Sequence, residues 1–380
     1  MNNILSLYAA PSRYLAVVCM GISVAAQAQT DSTVTLYGIV DAAVVYTTHQ
    51  AGGNKTAIDS GQLATSRWGI KGTEDLGGGL KANVVLESSL AVDSGAGGSS
   101  FGTPLVASFF DRASTVGLSG SLGSINFGRQ NMLGVDSIGL ADPMGLAHAG
   151  TNPNVVYSAL NVQTLAGQTI AGQYGVNNGG TELRQNNSIK YLTPRWSGFG
   201  GALMVGLGEN AGNRSANSYT GGSAYYTNGK SRAALAYAKL TDPTNASTMT
   251  LMGGGAKYAM APVTFNLTYA QSENDATVNT TKRKIAITGL GLDYALSPSI
   301  TLTGAYYNAT LSGTADGKAD QYVFLAKHAM SSRTTTYASV TLVKAGSAAN
   351  PDISMASGLL VVGAGESDAT RLACGIMHSF

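Results

Sequence analysis

Little of this chain is charged. Asp, Glu, Lys and Arg make up 12% of its 380 residues and leave a formal balance of +2, and no cluster of Lys or Arg forms the basic block that nucleic-acid binders use to neutralise phosphates. Cysteine is scarcer still. Of the two present, Cys19 falls in the first thirty residues and Cys374 near the end, which excludes a disulfide within a processed chain and any Cys-x-x-Cys metal pattern. The four histidines, His49, His148, His328 and His378, have no metal-ligand spacing. No Ser/His/Asp grouping assembles. Beyond residue 28 no uninterrupted apolar run approaches the ~20 residues that a membrane-spanning helix needs. Helix-favouring Glu, Lys and Leu are sparse as well. A helical membrane protein, a metalloenzyme and a disulfide scaffold are therefore all poor readings.

What is abundant is glycine, at 49 residues, and alternation. The stretch from Ser66 to Glu87 sets the pattern. Leu80, Ala82, Val84 and Leu86 share one face and Lys81, Asn83 and Glu87 the other, the two-residue period of a pleated strand. In the preceding arm Trp68 and Ile70 oppose Arg67 and Lys71. Gly77, Gly78 and Gly79 between the arms supply the positive φ that a tight return requires. The product is a hairpin with an apolar face and a charged face. A soluble sandwich alternates too, so recurrence decides.

Hairpins of this kind recur to the last residue. A first strand is expected from Thr33 to Thr47, with Val34, Leu36, Val40 and Val44 opposing Thr35, Tyr37 and Asp41, followed by a polar loop. After the opening hairpin and a low-complexity loop from Asp93 to Thr103 come strands from Arg112 to Gly120 and from Ser124 to Arg129. Paired strands resume at Arg184 and continue to Val343, and Thr370 to Phe380 stands alone. Short turns such as Ala259 to Pro262 lie on one side and long Asn-, Gly- and Ser-rich loops on the other, the asymmetry of outer-membrane barrels. The count is 16, the even number such barrels carry. The odd last strand, paired with the first, closes the ring and leaves no sheet edge in lipid. Leu372, Cys374, Ile376, His378 and Phe380 then face outward, and strand-end rings such as Tyr191, Tyr258 and Tyr294 suit interfacial girdles.

Two segments lie outside this rhythm. Residues 1–28 have the form of a secretory signal peptide: Arg13, an apolar stretch from Tyr14 to Ala26, and Ala26-Gln27-Ala28 as a small-x-small cleavage site. Val18 before Cys19 argues against a lipidated cysteine. Residues 130–183 lose clean alternation, although Asn154 to Leu160 and Gln168 to Val176 are candidate short strands. A loop this long in a compact domain is either functional or wrongly assigned; we read it as functional. The remainder, residues 29–380, is one domain.

Several motifs in order resemble the general porins of Gram-negative bacteria, of the β-proteobacterial type. They are V-T-L-Y-G-I-V-D-A at Val34 to Ala42, the G-I-K-G-T-E-D-L-G-G-G-L-K-A hairpin, D-R-A-S-T-V-G-L with I-N-F-G-R-Q, R-Q-N-N-S-I-K-Y-L-T-P-R-W-S-G-F-G-G, and the closing G-I-M-H-S-F. The resemblance implies an all-β, 16-stranded antiparallel transmembrane barrel whose long third loop folds inward. It also implies a homotrimer in the outer membrane, in contact with lipid and lipopolysaccharide. Ions and small hydrophilic solutes would pass without energy input, no cofactor is implied, and the barrel assembly machinery would read the C-terminal strand ending in Phe380. In such porins basic wall residues oppose acids on the loop. Matching by motif, Arg67, Arg112 and Arg184 take the wall positions and Asp142 is the loop carboxylate. Where relatives often carry a second acid this chain reads Gly145-Leu146-Ala147, which leaves Asp136 to supply it.

The residues support a related expectation. Arg67 and Lys71 share the non-lipid face, and Arg184 shares its face with Asn186, Ser188 and Lys190. Guanidinium groups lining water attract anions, so a modest anion preference follows. Arg112 has a rival reading as a residue away from the narrowest point, because Val116 and Leu118 share its parity. Two rival classes remain: an outer-membrane enzyme such as a phospholipase, which needs a Ser/His pair on the lipid side, and a structural or adhesive barrel with a filled interior.

Overall fold

A computed structural model describes residues 32–50, 53–98, 109–146, 164–165, 168–169, 184–241, 245, 248–275, 283–312, 317–345 and 366–380. The signal-peptide segment and Asn154 to Leu160 lie outside them. The elements in chain order are β1 (Thr33–Gln50), β2 (Gly53–Ser60), β3 (Arg67–Gly77), β4 (Leu80–Ser89), β5 (Ala113–Gly120), β6 (Gly123–Asn131) and the helix α1 (Leu133–Gly139). Next come the two-residue strands β7 (Thr164–Leu165) and β8 (Gln168–Thr169), then β9 (Arg184–Leu192), β10 (Phe199–Gly206), β11 (Tyr219–Thr227) and β12 (Ser231–Thr241). The chain continues with β13 (Thr248–Met260), β14 (Val263–Asp275), β15 (Arg283–Ala295), β16 (Ile300–Ser312), β17 (Gly317–Ala329), β18 (Thr334–Ala345) and β19 (Asp368–Ser379).

All of these strands except β7 and β8 form one closed antiparallel sheet. Closure is made where it was expected. β1 pairs with β19 from Ile39↔Ser379 to Thr47↔Arg371, and Gly38 and Phe380 exchange backbone hydrogen bonds at 3.1 Å in both directions. The sheet holds seventeen strands but only sixteen positions, because β2 and β3 lie end to end against β1: β2 pairs with its later half and β3 with Thr33–Ile39. This corrects one expectation. The polar segment after the first strand is not simply a loop; Lys55 to Ser60 return along β1 before the chain breaks at 61–66 and resumes as β3.

Alternation gives the wall two faces. Outward side chains, Val34, Leu36, Leu203, Leu235, Phe324, Leu372 and Ile376 among them, are exposed and apolar, while on the inner face Asp41, Thr47, Ser272, Thr341 and Arg371 are buried. An exposed apolar band on a closed strand cylinder is the surface that hydrocarbon covers. Trp196, Phe199, Tyr258, Tyr294 and Phe380 are exposed near the end that carries the short turns, where amphipathic rings meet the headgroups. The opening hairpin turns as expected, with φ of 84°, 62° and 80° at Gly77, Gly78 and Gly79.

Candidate channel constriction

The buried apolar cluster is inside the cylinder, around α1. Leu133, Val135 and Ile138 pack with Tyr219, Ala236, Ala238, Leu240, Met249 and Leu251 on the inner faces of β11, β12 and β13. The sequence permits this because β12 gives up alternation: in Ala233-Ala234-Leu235-Ala236-Tyr237-Ala238-Lys239-Leu240 both faces are largely apolar. A loop helix that covers such a patch removes it from water, and that burial draws the loop inward rather than out over the rim. The Tyr219 hydroxyl accepts a hydrogen bond from the Leu133 amide at 3.3 Å.

Past α1 the loop runs over β13 to β16. Gly255 on β13 leaves room for Ala141, whose Cβ would stand 2.7 Å from a side chain there, and Gly291 on β15 leaves room for Pro143. Between them Asp142 turns into the wall. Its Oδ1 accepts a hydrogen bond from the Tyr307 hydroxyl of β16 at 2.9 Å and its Oδ2 one from the Leu146 amide at 2.7 Å. Burial pushes its carboxyl up to about 6.

Basic side chains gather on β3, β6 and β9 and in the segment before β5. The Arg112 Nε donates to Glu87 Oε1 at 2.6 Å, an Arg67 amino nitrogen lies 4.0 Å from the same oxygen, and the Tyr37 hydroxyl donates to Glu87 Oε2 at 2.9 Å. Arg129 donates to the Asp111 carbonyl at 2.6 Å and to Asn186 Oδ1 at 2.5 Å. Arg184 is 5% exposed; its Nε has no hydrogen-bond partner among the described residues, and it feels the charges of Arg112, Arg129, Asp111 and Glu87. The Asp111 carboxylate is itself held by the amide and hydroxyl of Ser89, at 2.7 and 2.8 Å. Four guanidinium groups thus meet two carboxylates. Among the described residues no group of His, Cys, Asp and Glu is arranged to hold a metal ion.

The structure therefore brings Arg67, Arg112 and Arg184 together. Lys71 shares their wall but is exposed two pleats further along β3 from Arg67, with its Nζ 5.6 Å from the centre of the Tyr37 ring. The parity objection to Arg112 lapses because β5 begins at Ala113 and the Arg112 amide is bonded to the Glu87 carbonyl at 3.1 Å. Asp136 pairs with Lys190 at 2.8 Å, and Asp142 is engaged at the opposite wall, so neither faces the arginines as a free carboxylate. Sequence reasoning missed Arg129. By simple alternation it shares a face with Ile125 and the exposed Phe127, but the register of β6 against β9 shifts between Gly128 and Gln130, and a bulge of that kind re-aims the side chains beyond it. The signal was present as Gly128, whose φ is 117°.

Comparison with known proteins agrees with this architecture. The sequence pattern of the Gram-negative porin family matches residues 15–347. The chain is a Gram-negative porin. Outer membrane porin protein 32 of Delftia acidovorans is 30% identical over 379 residues, a match that covers 96% of this chain and 99% of that protein. The anion-selective porin from Comamonas acidovorans superposes with a TM-score of 0.77 at 27% identity, covering 92% of this chain and all of the other. OmpT of Vibrio cholerae, at 14% identity and a TM-score of 0.65, shares the fold alone. The porin is thus an outer-membrane channel through which ions and small hydrophilic solutes diffuse passively, and the enzyme and filled-barrel alternatives fall away.

Proposed function

We propose that this porin conducts anions in preference to cations, with Arg67, Arg112, Arg129 and Arg184 as the basic wall of its narrowest section and Lys71 as its approach. The observation that carries the reading is an imbalance. Four guanidinium groups stand against Glu87 and Asp111, while the loop acids are engaged elsewhere, Asp136 by Lys190 and Asp142 by Tyr307. A surplus of fixed positive charge in a water-filled constriction raises the local anion concentration and lowers the barrier to anion passage. In this reading Asp136 softens the field and Asp142 anchors the loop. The Comamonas relative, described as anion-selective, is consistent with it.

The same reading takes residues 1–28 as a cleaved leader, 130–183 as the constriction loop and the working unit as a homotrimer. Lipopolysaccharide would contact the outer belt, and the barrel assembly machinery would read the last strand through Phe380. Planar-bilayer recordings across a KCl gradient test the selectivity. The Arg67→Ala plus Arg184→Ala double variant should move the zero-current potential toward cations, and an unchanged potential sinks the assignment. Single-channel closures in three equal steps would support the trimer.

A further inference from the structure

The break between β2 and β3 is a built feature of the lumen. Segment 61–66 lies over the inner wall, held by side chains that point inward from three neighbouring strands. Asp41 of β1, fully buried, accepts the amides of Leu63 and Ala64 on one oxygen at 2.6 and 2.7 Å and the hydroxyl of Tyr337 of β18 on the other at 2.5 Å. Arg371 of β19 donates to Gln62 Oε1 at 2.6 Å and to Asp59 at 2.9 Å. The Ser66 hydroxyl donates to the Asp41 carbonyl at 3.0 Å and accepts the Asp41 amide at 2.9 Å. Within the segment, beside Ser66, the Thr65 carbonyl accepts the Nε–H of Arg67 at 2.9 Å.

That last bond links the anchor to the channel. A guanidinium has five donors in a fixed plane, so fixing Nε fixes the direction of the amino groups, and in Arg67 these turn toward Glu87. Without the carbonyl the long side chain regains its rotamers and its charge is no longer fixed over one point of the pore. We propose that Asp41 is a specificity-determining positioning residue of this porin: by holding 61–66 against the inner wall it aims Arg67 into the basic wall. The inference rests on the anion-wall reading above. It assigns Asp41 no direct contact with the permeating ion; its charge matters only through the amides and the hydroxyl that it orders.

Zero-current potentials of the purified full-length barrel across a KCl gradient test this with Arg67→Ala, Asp41→Asn, Asp41→Ala and the Asp41→Ala/Arg67→Ala double variant. Asn keeps an oxygen for the two amides and offers its NH₂ to the Tyr337 oxygen, so Asp41→Asn should keep the wild-type potential although it removes a negative charge. Asp41→Ala should shift the potential toward cations as Arg67→Ala does, and the double variant should add nothing to Arg67→Ala alone, as coupled sites behave. Equal shifts of Asp41→Asn and Asp41→Ala toward anions would overturn the proposal, since they would mean that Asp41 acts only as a charge. So would an Asp41→Ala potential at the wild-type value while Arg67→Ala shifts. A silent Arg67→Ala would instead remove Arg67 from the basic wall, and this proposal with it, while leaving the wild-type selectivity to decide the wall itself. If Asp41→Ala yields no heat-modifiable barrel, Tyr337→Phe decides, because it loosens the anchor without changing any charge: a shift toward cations supports the proposal and no shift overturns it.

Discussion

Asp142 and Tyr307 join the inward loop to the far wall of the barrel, carboxylate oxygen to hydroxyl at 2.9 Å, with Asp142 only 5% exposed. The bond lies between a loop and a strand 165 residues apart in sequence, so it reports directly on whether the loop is seated. Tyr307→Phe removes the hydroxyl and leaves the carboxylate its amide donors. The loss expected for one buried partner is about 1–3 kcal/mol. The variant should show more open-channel noise and a lower melting temperature in detergent, with the barrel retained by circular dichroism.

The same carboxyl makes the seat depend on pH. Its ordinary value is 3.8, and desolvation raises it to about 6, against the opposing pull of the Leu146 and Met144 amides, Tyr307 and Lys257. A carboxyl that holds its proton more tightly when folded stabilises the fold fully below about pH 4 and loses that contribution as the pH rises through about 6, a change of about 3 kcal/mol at most. The melting temperature of the wild-type protein should therefore fall between pH 4 and 7. Asp142→Asn should flatten that slope, and an unchanged slope would show that some other group sets it.

Gly291 faces Pro143 and Gly255 faces Ala141 so closely that neither position has room for a side chain while the loop is in place. Gly291→Val should displace the loop at a cost of about 1–3 kcal/mol without disturbing the strands, whose φ at this position is not left-handed. Single-channel conductance should change, and chymotrypsin, for which Tyr157 and Tyr174 are sites, should cut within 130–183 faster than in the wild type. Equal cleavage rates would mean that the loop does not rest on this glycine.

Leu133 is 1% exposed within the cluster formed by α1 and the inner wall. Leu133→Ala should cost about 2–5 kcal/mol, expressed locally as a loosened loop. Leu235→Ala, on the outer face of β12 and 64% exposed, should leave channel noise unchanged. Comparison of the two recordings separates inner from outer packing on neighbouring strands.

At the seam the ring of Phe380 lies where a side chain on Gly38 would stand, and the two residues also share their backbone bonds. Gly38→Val should therefore impair closure and reduce the heat-modifiable fraction after refolding. A matched substitution at Gly304, whose surroundings are open, should not.

Most of the wall was legible because it obeys one rule, and β1 shows how far that rule reaches: Val34, Leu36 and Val44 are exposed while Asp41 is buried, as alternation requires. The rule failed where the backbone changes phase. Arg129 follows a bulge at Gly128, and β2 looked like a loop because Gly53-Asn54-Lys55-Thr56 is polar, yet its strand state follows from pairing with β1 rather than from its own composition. Asp142 was visible as an acid at the right motif, but its engagement with Tyr307 depends on a long-range approach that no local pattern encodes. The landing place of the loop was written more openly. Ala236, Ala238 and Leu240 make the inner face of β12 apolar, and in a water-filled barrel such a face implies a cover.

The sign of the channel's selectivity tests the account most directly. Wild-type protein in a planar bilayer under a tenfold KCl gradient should give a zero-current potential on the chloride side, diminishing as the mean salt concentration rises and the arginines are screened. A potential at zero or on the potassium side would contradict the basic wall, whatever the fate of the loop.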